Sequence, residues 1–370
     1  MFIYNPSRIL HGTALHTLIR DAEINSRLGN HALFVTNTDI LSDDAVQSVR
    51  DTLKHEGVES ILFDAAGMQA GDEIVNEAVS LASGGRAEYV IGMGTPDTVE
   101  YAKIIAAAAG TGCSVYELID NTPANSTAVR MPFVAVPARC WNPFLFSDKA
   151  VIVDPRDGEP KIVRTRKYPD TVFSYSGLLD SLTEKQVLYD VLCILGTCIE
   201  YEYHTNDVVG SPLLRDSMSE SISILRNIPG SDSGVDRERA QIAGIHAEWV
   251  SSGAAVGPFL GRCANAGTGI STEWVTAALL PEVCRYYLHR NPERTSHMME
   301  VLGLDTADDP DEQAGVVENE IRLLAGFADV PLRLRDFGMD ASDVSNLAGC
   351  VSGMCGVDGD ILRELLSAAL

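Results

Sequence analysis

Apolar runs and amphipathic segments alternate through the first part of the chain. The runs are short and rich in Val, Ile, Phe and Ala, which predicts buried strands, and the segments between them repeat with helical spacing. Strands separated by helices of about 12 residues form parallel βαβ units, so this part predicts a doubly wound sheet. The predicted strands are 31–37, 60–63, 88–91 and 133–136, and the predicted helices between them are 44–56, 71–83 and 98–109.

Helical spacing dominates the remainder of the chain. Residues 150–154 and 160–165 alternate like a β-hairpin, and beyond them leucines and alanines recur as in the core of a helical bundle. The predicted fold class is an α/β N-terminal domain with a doubly wound parallel sheet, residues 1–175, followed by an all-α C-terminal domain, residues 176–370. The predicted helices of the second domain are 184–203, 212–226, 233–251, 273–288, 292–302, 311–325, 341–350 and 358–370.

The clearest candidate for chemistry lies where the third predicted strand ends. Gly92, Met93, Gly94 and Thr95 form a glycine turn between that strand and the next helix. Such a turn exposes backbone N–H groups and a helix N-terminus, which together bind a diphosphate. Ligands of doubly wound sheets lie at the carboxyl ends of the strands, where residues 36–39 also fall. A βα turn without a ligand fits the same pattern, so the motif alone leaves both interpretations open.

Charge and cysteine content narrow the class of protein. The 370 residues carry a formal net charge of −24, which argues against non-specific nucleic-acid binding and against docking on anionic membranes. The N-terminal sequence lacks the pattern of a signal peptide, and apolar runs stay shorter than the roughly 18 residues that span a bilayer. The eight cysteines are scattered without a CxxC pair, which favours reduced thiols. We therefore predict a cytoplasmic protein.

Several stretches resemble the iron-containing alcohol dehydrogenase group, which shares its fold with dehydroquinate synthase. Residues 2–12 look like the opening strand of that family, and most of all like that of maleylacetate reductases. Residues 32–37 resemble its first nucleotide-domain strand, and residues 92–95 stand where the family has GGGS. Lys161 fits a lysine near cofactor and substrate, and residues 279–283 fit its LLPxV helix. The resemblance implies an active site in the cleft between the two domains.

The resemblance also implies a nicotinamide cofactor, NAD or NADP. Asn37 stands where NAD-preferring relatives often carry an Asp that binds the ribose hydroxyls. An uncharged residue does not repel a 2′-phosphate, so NADP is compatible with this sequence. The predicted cofactor-binding residues are Asn37, Asp39, Gly92, Met93, Gly94, Thr95, Asp97 and Pro137.

The metal positions of the family are changed in this chain. Relatives bind their metal with one Asp and three His, and the resemblance places Cys193, Thr197, Pro258 and Thr272 at those four positions. None of these side chains makes a convincing iron ligand in such a set. We therefore predict no catalytic metal.

The cofactor loop of the family is changed as well. Its PTTAGTGSE loop is replaced by PARCWNPF at residues 137–144, where small hydroxyl residues have become Arg, Trp and Phe. Either the nicotinamide end is held differently, or the cofactor is no longer used.

Hydride transfer without a metal needs another group to stabilise negative charge on the substrate oxygen. The candidate catalytic residues are Lys161, His204, Arg262 and Tyr101. The sequence predicts a metal-independent NAD(P)-dependent oxidoreductase that acts on a small or peptide-borne alcohol or ketone, with a homodimer expected from the relatives. One form of this prediction is oxidation of a β-hydroxy acid followed by decarboxylation in a specialised biosynthetic pathway.

Two other functions fit parts of the sequence. A catalytically inactive relative that keeps the scaffold for binding would lose metal ligands and cofactor loop together. A lyase of the dehydroquinate synthase kind is disfavoured, because it would need the missing metal ligands.

Overall fold

The apolar runs of the first part form a six-stranded sheet in the computed structural model. All its strand pairs are parallel, and the order is β1-β8-β5-β4-β2-β3, while β6 and β7 form a separate antiparallel hairpin. The strands are β1 Arg8–Gly12, β2 His31–Thr36, β3 Glu59–Asp64, β4 Tyr89–Gly94, β5 Phe133–Pro137, β6 Lys149–Val153, β7 Pro160–Arg164 and β8 Thr171–Tyr175. The described residues are 7–39, 41–66, 72–120, 131–204, 211–228, 234–251, 255–305, 309–351 and 357–370.

The chain divides into two units, Phe2–Ser181 and Leu182–Leu370. In the first unit the central strands β4 and β5 are buried along their whole length, because helices cover both faces of a parallel sheet. The helices of this unit are α1 Leu15–Asp21, α2 Ile24–Leu28, α3 Asp43–His55, α4 Asp72–Gly84, α5 Pro96–Thr111 and α6 Val115–Ile119. This architecture confirms the predicted doubly wound α/β class.

Local sequence explains where these helices begin and end. Ser42 caps α3 by accepting the Ala45 N–H, and Ser114 and Glu117 form a capping box at α6. Helix α5 ends at Gly112, whose φ of 68° is left-handed and suits glycine.

The second unit is helical throughout its described residues. Its helices are α7 Glu184–His204, α8 Ser211–Asn227, α9 Arg237–Ser251, α10 Val256–Thr268, α11 Thr272–Leu288, α12 Pro292–Leu302, α13 Pro310–Phe327, α14 Ala341–Val351 and α15 Gly359–Ala369. Short 3-10 helices occur at Ser176–Ser181 in the first unit and at Leu334–Phe337 in the second. In the part of the chain that is described, no helix combines the length and apolar character needed to cross a membrane.

The sequence prediction did not include the short helices α1, α2 and α6, the two 3-10 helices, strand β8 or helix α10. Strand β8 is short and lies directly after Pro169 and Asp170, and it owes its place to pairing with β1 and β5. Helix α10 contains several glycines, which weaken helix propensity. Close packing against α11 stabilises it instead: a Cβ added at Gly261 would lie 2.2 Å from Thr276 Oγ1.

Candidate functional site

The glycine turn brings α5 directly against β4. A Cβ added at Gly92 would lie 2.4 Å from the Ala102 Cβ, which is closer than real Cβ atoms approach. Gly94 has a φ of 153°, and a Cβ there would lie 2.9 Å from the Thr98 Cβ. Glycine is therefore required at both positions, by close approach at Gly92 and by backbone conformation as well at Gly94.

The turn leads into a long helix whose N-terminus faces the strand ends. Thr95 is the N-cap residue of α5 in an extended conformation, and Pro96 fills the first helical position. Backbone N–H groups of a first helical turn, reached over a glycine that lacks a side chain, fit the diphosphate of a dinucleotide. The partly exposed Asp97 lies in the same turn. A carboxylate repels phosphate, so its predicted role suits a hydroxyl or amide group of the cofactor better.

The end of β2 lies at the same edge of the sheet. Val35 pairs with Gly92, so residues 36–39 come next to the glycine turn. Asn37 Oδ1 accepts the Asp39 N–H at 2.9 Å, which uses the side-chain oxygen of Asn37 to shape its own turn. Among the described residues, Thr36 Oγ1 is buried without a hydrogen-bond partner. A buried hydroxyl without a hydrogen-bond partner at this edge is consistent with a ligand site.

Asp64, at the end of β3, holds the backbone of this β2 turn. Its Oδ1 accepts the Thr38 N–H at 3.1 Å and the Ala66 N–H at 3.0 Å, and its Oδ2 accepts the Thr38 hydroxyl. Burial acts to raise the pKa of Asp64, but these hydrogen bonds outweigh it, and the pKa lies below its ordinary value. Asp64 was not among the predicted site residues; its position directly after a strand was the available signal.

Strand β5 completes this edge. Pro137 pairs with Gly94, and the next N–H, that of Ala138, donates to Gly94 O at 2.8 Å. The structure thus brings the predicted residues of β2, β4 and β5 together at one edge of one sheet. The segment that follows is almost completely buried, including Trp141 and Phe144.

Two predicted catalytic residues belong to this unit as well. Lys161 lies on β7, where its Nζ contacts Glu159 Oε2 at 2.7 Å and Asp157 Oδ2 at 3.1 Å. The hydrogen bond to Glu159 is the main cause that raises the pKa of Lys161, with burial opposing it. Tyr101 lies partly exposed on α5. The catalytic roles of both residues stay predictions.

In the second unit lie the four positions that the family resemblance assigns to metal ligands, and their side chains bond to other groups or lack a donor atom. Cys193 Sγ donates to Glu273 O at 3.4 Å, and Thr197 Oγ1 donates to Cys193 O at 2.9 Å within α7. Thr272 Oγ1 accepts from a guanidinium, and Pro258 has no ligand atom in its side chain. Across the described ranges, no group of three His, Cys, Asp or Glu is placed to hold a metal. One thiol and two hydroxyls do not fit iron.

That guanidinium belongs to Arg262, which lies one helical turn after Pro258 on α10 and is 1% exposed. Its Nη1 donates to Asn265 Oδ1 at 2.9 Å and to Thr272 Oγ1 at 3.4 Å. Arginine keeps its charge at any ordinary pH, so a permanent cation lies beside Thr272. This charge also opposes binding of a metal cation at the same place. The side chain of His204, the fourth predicted catalytic residue, lies outside the described residues.

A buried carboxylate that the sequence prediction missed lies between α7 and α10. Glu200 accepts the Val256 N–H at 2.5 Å and the Gly257 N–H at 2.9 Å, so it caps the N-terminus of α10. Complete burial raises its pKa to about 7, despite the two hydrogen bonds that act to lower it. Glu200 follows Thr197 by one turn on the same face of α7, and this spacing was the only sequence signal for it.

Residues 6–174 match the family model of the iron-containing alcohol dehydrogenases. No curated protein sequence matches the chain.

Solved structures share the fold over the whole length. An archaeal halo-thermophilic alcohol dehydrogenase from a Red Sea brine pool, solved with bound NZQ, has a TM-score of 0.86 and 17% identity, covering 100% of this chain and 99% of that one. A 1,3-propanediol oxidoreductase has a TM-score of 0.84 and 18% identity, with coverages of 100% and 99%. The NADH-dependent butanol dehydrogenase A of Thermotoga maritima has a TM-score of 0.82 and 19% identity, with coverages of 100% and 98%. At these identities the likeness establishes a common fold.

Proposed function

Because residues 6–174 match the family model of the iron-containing alcohol dehydrogenases, we propose that the chain is a divergent member of that superfamily and an NAD(P)-dependent oxidoreductase that works without a metal. Its substrate is a small or peptide-borne alcohol or ketone. The family match supports the oxidoreductase class, and the glycine turn with its neighbouring strand ends supports a dinucleotide at the edge formed by β2, β4 and β5.

One observation carries the metal-independent part of the proposal. The position that the family resemblance assigns to the last metal-binding His is Thr272, and its hydroxyl accepts a hydrogen bond from the buried Arg262. A metal ion there would lose a ligand and meet a positive charge. The guanidinium itself is a fixed cation that can stabilise negative charge on an oxygen.

The residues divide the chemistry as follows. A bound nicotinamide would accept a hydride from the substrate carbon during oxidation and would give one to it during reduction. During oxidation the substrate hydroxyl loses its proton, and Arg262 stabilises the negative charge that develops on that oxygen. A guanidinium does not release a proton at neutral pH, so the proton passes to another group. Tyr101 and His204 are the proposed acceptors. Lys161 carries a proton already, because the hydrogen bond to Glu159 raises its pKa, so it is not an acceptor.

A β-hydroxy acid is the substrate form that the proposal favours. Oxidation of its hydroxyl gives a β-keto acid, whose bond between the α-carbon and the carboxylate breaks to release CO₂. The electron pair of that bond moves into the carbonyl to give an enolate, and a proton from water completes the ketone. Arg262 would stabilise the enolate oxygen by the same contact, so the second step needs no further group. A place in a specialised biosynthetic pathway is part of this proposal.

The direct test is turnover by metal-depleted protein. Protein dialysed against a strong chelator is mixed with NAD or NADP and a panel of short alcohols and β-hydroxy acids, and nicotinamide absorbance and released CO₂ are followed. We expect reduction of the cofactor by at least one β-hydroxy acid, at a rate that added iron or zinc does not change. Turnover that appears only after a metal is added would contradict the metal-independent mechanism.

A binding protein without catalysis is the second candidate. The observation in its favour is the buried segment after β5, which replaces the family's hydroxyl-rich cofactor loop with Arg, Trp and Phe. If the cofactor binds but no compound of the panel is turned over, the panel is extended to peptides. If neither NAD nor NADP binds, the scaffold function replaces the oxidoreductase proposal.

A further inference from the structure

Helix α5 carries two charged side chains that are almost completely buried, Glu100 and Lys103. Lys103 Nζ donates to three backbone oxygens, those of Phe144 at 2.5 Å, Ser147 at 2.9 Å and Lys149 at 3.0 Å. An ammonium group has three donors, so its hydrogen-bonding capacity is matched by three carbonyls from one short stretch of chain. The carbonyl oxygens of this stretch surround the ammonium, as those of a cation-binding loop surround a metal ion.

The buried negative charge on α5, that of Glu100, contacts the chain just beyond this stretch. Glu100 Oε2 accepts the Val151 N–H at 2.8 Å. Phe144 has a φ of 67°, a left-handed conformation that is costly for a bulky residue and that directs its carbonyl to Lys103 Nζ. Contacts around Phe144 must therefore stabilise this conformation, and the hydrogen bond from Lys103 is one of them.

The held stretch is continuous with the glycine turn. We call residues 138–149 the cradle segment. Its first N–H, that of Ala138, donates to Gly94 O at 2.8 Å. In its middle Asn142 Nδ2 donates to Arg139 O at 2.9 Å, and its far end supplies the three carbonyls around Lys103. One segment thus runs from the candidate diphosphate turn to a buried cation.

We propose that Lys103 is a positioning residue: its ammonium is a tethered cation that fixes the cradle segment beside the Gly94 turn, and so fixes one wall of the cofactor site. The cofactor part of this inference rests on the proposed function. Removal of the ammonium would take this donor from the carbonyls of Ser147 and Lys149, while Phe144 O would keep the Ser147 N–H at 3.1 Å. Loss of buried hydrogen bonds is costly. Arginine would not substitute well, because its flat fork does not match three acceptors around one nitrogen.

Two variants and a small amine test the cradle. Lys103→Ala opens the space of the side chain, and Lys103→Met keeps the volume of the stem without the charge. Hydrogen–deuterium exchange of the cradle segment is measured with and without propylammonium, and NADH binding is measured by fluorescence. Lys54→Met, an exposed lysine on α3 of the same unit, is the control.

We expect faster exchange of the cradle segment in both variants, and at least tenfold weaker NADH binding. Propylammonium should restore protection and binding in Lys103→Ala but not in Lys103→Met, where the stem blocks its site. Lys54→Met should behave like the wild type. If the wild type binds no cofactor, but exchange is faster in the variants and propylammonium restores protection in Lys103→Ala, then Lys103 fixes the cradle segment without a role in cofactor binding.

Three results would overturn the inference. Unchanged exchange of the cradle segment in both variants would show that Lys103 does not fix it. Unchanged NADH binding in variants with a loosened segment would separate the cradle from the cofactor. Loss of protection in Lys103→Ala that no amine restores would assign the effect to packing and not to the cation. If Lys103→Ala does not fold, exchange and NADH binding in Lys103→Met still decide the first two points.

Discussion

The family resemblance places ligands in two regions, the strand ends around Gly94 and the positions on α7, α10 and α11 that correspond to metal ligands. Polar groups are used in opposite ways in the two regions. Around Gly94 side chains are missing or hold the backbone, so that main-chain groups stay at the surface of the turn. On α7 the Cys193 thiol and the Thr197 hydroxyl donate to backbone oxygens, and on α11 the Thr272 hydroxyl accepts from Arg262. A ligand site formed by backbone groups therefore tolerates changes of sequence, whereas a site formed by side-chain ligands does not survive replacement of those side chains.

The buried charges of the molecule contact two kinds of partner. Lys103 lies among backbone carbonyls and Glu200 among backbone N–H groups, which are structural uses. Arg262 contacts two side-chain oxygens, those of Asn265 and of Thr272, the residue that the family resemblance places at a metal-ligand position. This is the feature that makes Arg262 the strongest candidate for chemistry in the second unit.

The largest expected effect comes from Arg262. Arg262→Gln keeps a hydrogen-bond donor but removes the cation, so we expect turnover to fall on the order of 100-fold, as for loss of one oxyanion donor. Arg262→Lys should retain part of the activity. Steady-state kinetics should show the loss mainly in kcat, because the charge matters most when negative charge develops. Thermal unfolding is the control, and an unchanged kcat in folded Arg262→Gln would remove Arg262 from the mechanism.

The next effect concerns the backbone turn itself. Gly92→Ala places a Cβ 2.4 Å from the Ala102 Cβ, so α5 must move from β4. We expect the free energy of unfolding in urea to fall by about 2–3 kcal/mol, as for overpacking of a core. Gly84→Ala, at a site where a Cβ has no neighbour within 4 Å, is the matched control and should change stability little. Equal stability of the two variants would mean that α5 does not need Gly92.

A pH effect tests the buried carboxylate of the second unit. The pKa of Glu200 is raised to about 7 in the folded chain, so the folded state holds this proton more tightly than the unfolded state does. The stabilisation is complete below the unfolded pKa and is lost as pH rises through the folded one. Between pH 5.5 and 8 we expect Glu200 to account for about 2 kcal/mol of lost stability, from about 1.4 kcal/mol per pKa unit.

Urea unfolding of Glu200→Gln across this pH range provides the check. That part of the pH dependence should disappear in Glu200→Gln and persist in Glu312→Gln, an exposed residue of the first turn of α13. A wild-type profile that rises over this range and is unaltered by Glu200→Gln would refute the assignment.

The smallest effect is expected at Lys161. Its ammonium already contacts Glu159 and Asp157 in its own hairpin, and ion pairs of this partly exposed kind contribute about 0–1 kcal/mol. Lys161→Met should therefore lower stability by less than about 1 kcal/mol and leave kcat within a few-fold of the wild type. A loss of kcat comparable to that of Arg262→Gln would instead give Lys161 a catalytic role.

The sequence was informative where local pattern determines structure. Continuous apolar runs predicted β2, β4 and β5, and the glycine turn was placed correctly at the end of β4. The buried charges were not predictable in this way. Glu100 and Lys103 are charged residues on a helix, and their partners lie 41 to 51 residues away along the chain. Nothing local to α5 marks them as buried.

The second unit shows the same limit. Helix α10 was not predicted, and its glycines allow close packing: a Cβ added at Gly257 would lie 2.8 Å from Glu200 Oε1, and one at Gly261 would lie 2.2 Å from Thr276 Oγ1. The contact of Arg262 with Thr272 depends on that packing, so only the fold brings the two together.

Binding of NADH to chelator-treated protein is the most direct test of metal-independent cofactor binding at the Gly94 turn. Cofactor fluorescence is titrated with wild-type protein and with Gly94→Val, whose side chain would meet Thr98 in the turn, and circular dichroism confirms that the variant is folded. The account predicts saturable binding by the wild type that is independent of added metal and is lost in Gly94→Val. Absence of saturable binding, or binding that requires iron or zinc, would contradict it.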